Sequence, residues 1–324
     1  MCTAVTYHTK DHYFGRTLDN DVSYGEKVVI TPRNYPIRFR REKTLESHYA
    51  MIGMAVIMDD YPLYYDAVNE CGLGIAGLNF PGNADYKQMI PGENNIAPFE
   101  FIPWILGQCK NVDEVKESLK HTQIVNIHFS ERLPLTPLHW MIADREKAIV
   151  VEPTHSGIKI YDNPVGVLTN NPTFDMQLFY LNNYQSLSID APENCWPTYD
   201  GMCIYSRGMG AMGLPGDLSS MSRFVRASFT KMHSVSGTSE SESISQFFHI
   251  LESVAQQRGC VRLEENTYEL TIYTSCCNMD QGIYYYTTYD NHQITAVDMN
   301  RENLSGGRLI AYPLVQSQHI YWQN

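Results

Sequence analysis

Apolar residues come in short alternating runs along the N-terminal part of the chain. The segments Thr3–Tyr7, Tyr13–Leu18, Lys27–Thr31, Tyr49–Met58 and Leu73–Leu78 are rich in Val, Ile and Tyr. Turn residues such as Asn20-Asp21 and Asn69-Glu70 separate them, which predicts β-strands. The period then changes: Val112, Val115 and Leu119 recur at helical spacing and predict a helix over Val112–His121. Leu138–Ala143, Ile149–Glu152 and Ile158–Tyr161 read as hairpin strands, with Asp144-Arg145-Glu146-Lys147 as one turn. Two further helices are expected. One is Met221–Met232, capped by Ser219-Ser220; the other is Ser241–Gln256, where Ile244, Phe247, Phe248, Leu251 and Val254 form one stripe. Strands return at Tyr268–Ser275, Ile283–Tyr289 and Ile294–Met299, the last two joined through Asp290-Asn291. Strands at both ends with helices between them predict a mixed α+β fold whose terminal strands share sheets.

Composition narrows the function classes. Of 324 residues, 43% are hydrophobic and 19% charged, which excludes global disorder. The net charge is −12, so nucleic acid is not an expected partner and a polybasic membrane anchor is not expected either. The longest apolar run, Met51 to Met58, is too short to span a hydrocarbon core of about 30 Å. The opening Met1-Cys2-Thr3-Ala4-Val5 lacks the basic and apolar regions of a secretory signal, so an intracellular protein with mostly reduced cysteines is expected.

Several motifs fail their context. Gly208-Met209-Gly210-Ala211-Met212-Gly213 satisfies G-x-G-x-x-G, but Pro215 follows where a dinucleotide fold requires a helix, so a flexible loop is the reading. Eleven histidines include no H-E-x-x-H and no zinc-type pairing with cysteine; His121 and His128 lack a defensible ligand spacing, and His139 reads as hydrogen-bonded within a sheet. No metal or other cofactor is expected. Cys276-Cys277 point to opposite faces of a strand. The serine-hydrolase elbow and the P-loop are absent.

Cys2 is different. Removal of Met1 leaves a thiol and a free α-amine on one residue. An α-amine with a pKa of about 7.7–8.0 can accept a proton near neutrality, and a thiol near 8.5 needs little help to ionise. One residue then supplies nucleophile and base. The plain alternative is a start-site cysteine of no importance. Phe14-Gly15-Arg16-Thr17-Leu18-Asp19 lies on the strand expected to pair with the N-terminal one. There Asp19 could hold the amine and Arg16 could favour thiolate, or the two could be an ordinary surface pair.

Met1-Cys2-Thr3-Ala4, Phe14-Gly15-Arg16-x-x-Asp19, Asp60-Tyr61-Pro62, Gly77-Leu78-Asn79-Phe80, Leu168-Thr169-Asn170-Asn171-Pro172, Leu214-Pro215-Gly216-Asp217 and Ser222-Arg223-Phe224 occur in order over nearly the whole chain. Together they resemble the choloylglycine hydrolase family, which contains bile salt hydrolases and penicillin V acylases. The resemblance implies a four-layered αββα sandwich of the N-terminal nucleophile hydrolase type, with residues 2–324 as a single domain. It implies that Cys2 attacks an amide carbonyl while its amine relays the proton, and that Asp19 holds the amine. Arg16 lies by the sulfur, and the Asn79 backbone N–H and the Asn170 side-chain amide receive the oxyanion. Arg223 completes the charge network. Such a donor is worth about 2.7–4 kcal/mol to the transition state.

Within the family, bile salt hydrolases carry asparagine at the position of Asn79 where penicillin V acylases often carry tyrosine, so glycine- and taurine-conjugated bile salts are the expected substrates. Leu18, Tyr24, Met58, Tyr65, Phe129 and Leu133 are the steroid-pocket candidates by similarity, and each singly could be a plain core residue. Penicillin V acylase activity and a non-catalytic steroid-binding protein of the same fold are the alternatives. The resemblance also implies a cytoplasmic bacterial enzyme and a homotetramer, assembled through Thr173–Cys195.

Overall fold

A computed structural model of the chain describes residues 1–324. Two sheets carry the architecture, and every strand pairing in them is antiparallel. The first runs through Val167–Leu168, Cys2–His8, His12–Asn20, Thr267–Asn278, Ile283–Thr288 and Asn291–Asp298, with Val261–Glu264 added beside Thr267–Asn278. The second runs through Gly157–Asp162, Ala148–Thr154, Leu138–Ala143, Gly74–Asn79, Tyr61–Asn69, Met51–Met58, Lys27–Thr31 and Ile310–Pro313.

Side-chain alternation builds the layers. Within Met51–Met58, Ile52 and Met54 face the first sheet and join Cys2, Phe14 and Tyr273 in one buried cluster. Met51 and Ala55 face the other way, under helices α1 (Phe101–Gln108) and α2 (Val112–Leu119). Of the three later helices, α3 (Phe174–Tyr180), α4 (Ser220–His233) and α5 (Glu240–Glu252), the last two cover the outer face of the first sheet through Phe224, Ala227, Phe247 and Leu251. The order is helix, sheet, sheet, helix, the expected αββα sandwich. The central sheet is tight: a Cβ on Gly15 would meet the Ser275 carbonyl oxygen at 2.0 Å, so only glycine fits there.

Three departures from the pattern have physical causes. Helix α1 escapes detection because Phe101–Gly107 is buried all round, leaving no polar face to define a stripe. The strand Tyr61–Asn69 is masked by Pro62, yet it forms a hairpin with Met51–Met58 through Asp59-Asp60, both with positive φ. Helix α5 stops at Glu252 rather than Gln256 because the Gln256 N–H donates to Thr271 Oγ1 and its carbonyl accepts from Thr271 N. No helix is long and apolar enough to cross a membrane.

Candidate active site

The register of the first hairpin starts the site. Cys2 lies opposite Leu18, and Ala4 opposite Arg16, so the chain end is flush with the Arg16–Asp19 segment. Cys2 is buried in the inter-sheet cluster. The wholly buried Arg16 guanidinium places Nη2 on Cys2 Sγ, while Nε donates to Thr17 O at 3.1 Å. Its Nη1 donates to Tyr65 O and Gly77 O, carbonyls of two neighbouring strands whose ladder closes at Asp66–Ala76. The guanidinium therefore fills the gap where the second sheet opens. Burial opposes its charge, but Cys2, Tyr273, Asp66 and Asp19 outweigh that and hold its pKa above the ordinary value. Asp66, also wholly buried, accepts from Tyr273 and Tyr284 at 2.7 Å each and from Ser275 at 3.2 Å. Burial raises its pKa, against the pull of Arg16 and the three hydroxyls.

With Met1 in place, the terminal ammonium donates to Asp19 O at 2.7 Å and to the buried Glu269 carboxylate. The Met1 carbonyl accepts from Asp19 N at 2.9 Å. Cys2 N donates to Asn170 Oδ1 at 2.8 Å rather than to Asp19. The Asp19 carboxylate instead accepts from Thr17 Oγ1 at 3.2 Å and Thr271 Oγ1 at 2.7 Å. A register shift between Thr271 and Tyr273 lies opposite Asp19 and Leu18 and aims Thr271 at that carboxylate.

Asn170 and Arg223 close the far side. Arg223, from α4, donates to Cys2 O at 2.6 Å, Thr3 Oγ1 at 2.7 Å and Asn170 Oδ1 at 2.7 Å. Burial lowers its pKa, with Asp19 and Cys2 acting in the opposite sense. Two donors on Asn170 Oδ1 fix the amide orientation, so Nδ2 points away from them and gives one N–H to Asn79 O at 2.7 Å. Phe80 N donates to Pro137 O, and antiparallel alternation then turns the Asn79 N–H off that ladder, beyond the last pairing with Tyr61–Asn69. The structure thus joins Arg16 to the Cys2 sulfur and Asn170 and Arg223 to the Cys2 backbone, with Asn79 bonded to Asn170 and Asp19 paired to Met1.

The steroid-pocket candidates divide. Leu18 is the ladder partner of Cys2, and the half-buried Tyr65 feels Glu26, Tyr24, Arg16 and Cys2 after burial, which raises its pKa. Tyr24 itself is exposed. Met58 pairs with Tyr61, whose ring lies 6.0 Å from that of Phe129, and Leu133 N donates to Ser130 O in the same loop. A cleft of ≈ 740 Å³ beside Phe129, Phe99 and Tyr61 does not reach Cys2. Gly208–Gly213 is a loop with a short 3-10 turn at Met209–Ala211, with neither strand before it nor helix after it. Sequence reasoning missed Asp66, Glu269 and Thr271. Polar residues within strands that are otherwise apolar were the only available signal, and nothing local distinguishes them from surface positions.

The sequence model described as linear amide C-N hydrolases, choloylglycine hydrolase family, matches residues 2–312. A bile salt hydrolase/transferase of Lactiplantibacillus plantarum is 57% identical over the whole of both chains, and one from Clostridium perfringens is 43% identical over 96% of each. A solved structure of a mutant conjugated bile acid hydrolase from C. perfringens superposes with a TM-score of 0.93 at 42% identity, covering 100% of both chains. A penicillin V acylase from Agrobacterium tumefaciens shares the fold, with a TM-score of 0.76 at 20% identity over 99% and 94% of the two chains. Family model, relatives and fold agree: the chain belongs to the choloylglycine hydrolase family of linear amide C–N hydrolases.

Proposed function

We propose that the chain hydrolyses the amide bond of glycine- and taurine-conjugated bile salts through a thioester on Cys2. The observation that carries this reading is the Cys2 sulfur held against a buried guanidinium at the very end of the chain, in a relative of proteins named bile salt hydrolase. Removal of Met1 turns Cys2 N into an amine, which takes the proton of the Cys2 thiol to give a thiolate and an ammonium. The thiolate adds to the amide carbon, and the developing oxyanion accepts from the Asn79 N–H and the second N–H of Asn170. Collapse breaks the C–N bond as the Cys2 ammonium passes its proton to the leaving nitrogen. Water then attacks the thioester, the amine takes the water's proton, and the bile acid departs with the thiol restored.

Asp19, tied by two threonine hydroxyls, and Arg223, on the Cys2 carbonyl, hold the amine and the chain end. Leu18, Tyr24, Met58, Tyr65, Phe129 and Leu133 serve as the steroid contacts. The reaction uses no metal or cofactor. The enzyme works as a homotetramer in a bacterial cytoplasm, and residues 2–324 act as one domain.

Two measurements test the reading. Intact mass of the active enzyme should fall one methionine short of the encoded chain; full activity with Met1 retained rejects the amine's role, because an acylated nitrogen is not a base. Side-by-side kinetics should give a higher kcat/KM for glycocholate than for penicillin V. The reverse order assigns the chain to acylase chemistry, and binding of glycocholate without turnover by the processed protein identifies a steroid carrier.

A further inference from the structure

Behind the proposed oxyanion hole lies a wholly buried pair, His139 and Glu152, that the reaction described above does not use. His139 sits across the ladder from Leu78, the residue before Asn79. Its ring stacks on Phe80, the residue after Asn79, with centroids 4.1 Å apart and planes 6° from parallel. Its Nε2 lies 2.9 Å from the carbonyl oxygen of Thr169, the residue before Asn170. One imidazole thus touches the chain neighbours of both oxyanion donors.

The protons on this imidazole can be counted. A carbonyl only accepts, so Nε2 must carry a proton. Nδ1 faces Glu152 Oε1 at 3.2 Å, and the same oxygen accepts from Phe174 N at 3.0 Å. Bare nitrogen against carboxylate would set lone pair against lone pair in a dry site. The pair therefore holds one proton between its members, either as imidazolium and carboxylate or as imidazole and carboxylic acid. In both forms Nε2 keeps its own proton for Thr169. The other Thr169 side-chain contacts all involve its hydroxyl, with Gln177 Oε1 at 3.1 Å, Ser220 O at 3.0 Å and the Ser220 hydroxyl at 3.0 Å, so His139 is what anchors the carbonyl.

We infer that His139 is a positioning residue for the oxyanion hole, tying the Asn79–Phe80 strand end to the Thr169–Asn170 turn, and that Glu152 keeps its Nε2 proton directed at Thr169. This rests on the reading of Asn79 and Asn170 as oxyanion donors. It separates two near-isosteres. In His139→Asn the amide nitrogen overlies Nδ1 and stops short of Thr169, whereas in His139→Gln it reaches the Nε2 position. Glu152→Gln acts at a distance. The Phe174 N–H requires oxygen at that point, so a neutral imidazole, with one proton for two acceptors, can no longer serve both the amide oxygen and the Thr169 carbonyl.

The test measures kcat and KM on glycocholate and the rate of Cys2 alkylation by iodoacetamide, which needs the thiolate but no oxyanion hole. His139→Asn and Glu152→Gln should each lose about 100-fold in kcat, with KM and alkylation within about threefold of wild type, and His139→Gln should recover to within about tenfold. Should His139→Asn fail to fold, Glu152→Gln carries the test alone. A kcat within about threefold of wild type for Glu152→Gln overturns the inference. So does a parallel fall of kcat, alkylation rate and Tm, which marks a merely structural role. Asn170→Ala separates the two levels. If it leaves kcat unchanged, the oxyanion reading falls and this inference with it; if it is slow while Glu152→Gln is fast, only the inference about His139 is lost.

Discussion

Cys2→Ala should lower kcat on glycocholate by about 10⁴–10⁶-fold while leaving binding of the conjugate within about threefold. The size follows from chemistry. The variant keeps the α-amine, the Asn79 and Asn170 donors and the Arg16 guanidinium, but the thioester has no atom to form on. What remains is direct attack by water in a polar cavity, which donors and binding alone accelerate by about 10³–10⁴-fold over the reaction in water. Folding should survive, because the change removes one sulfur from a 38-residue cluster in which Ala4, Ala50 and Ala76 are already packed. The cavity costs about 1–2 kcal/mol at most. Turnover within tenfold of wild type in a preparation free of contaminating hydrolase sinks the nucleophile assignment.

Arg16→Met should cut kcat by about 100- to 1000-fold and destabilise the fold by about 3–5 kcal/mol, the loss typical of breaking a buried, fully bonded charge network. Methionine matches the length of the stem but donates nothing. Tyr65 O and Gly77 O, which lie off the sheet ladder, lose their donor together, and Thr17 O loses one bond. Each buried carbonyl left unpaired costs about 1–3 kcal/mol before relaxation. Asp66 loses its neighbouring cation, so burial drives its carboxyl further upward and favours the protonated form. The thiolate loses the only cation on its sulfur. Steady-state kinetics with a thermal melt measure both halves. A variant with wild-type Tm and kcat would show that the guanidinium neither braces the open ladder nor assists the sulfur.

These two residues are legible in the sequence because they are neighbours by register. A hairpin between Cys2–His8 and His12–Asn20 sets Cys2 beside Leu18 and brings Arg16 and Asp19 to the chain end, and strand alternation puts Arg16 and Thr17 on opposite faces. Asn79, Asn170 and Arg223 carry no local mark. Only the ordered motifs of a family point to them, and what unites them is a set of bonds between distant segments: Asn170 to Asn79, and Arg223 to Cys2, Thr3 and Asn170.

Strand and helix periodicity, the acidic charge balance and the chemistry open to an N-terminal cysteine are properties of short windows or of the whole composition, and the linear sequence determines them without help. The three-dimensional arrangement alone decided that Arg16 would brace two strands of the opposite sheet, that Cys2 N would lean on Asn170, and that His139 with Glu152 would stand behind both oxyanion donors. These contacts are made between segments far apart in the chain. Each depends on how two sheets stack and where their ladders end, and no local pattern of residues encodes that.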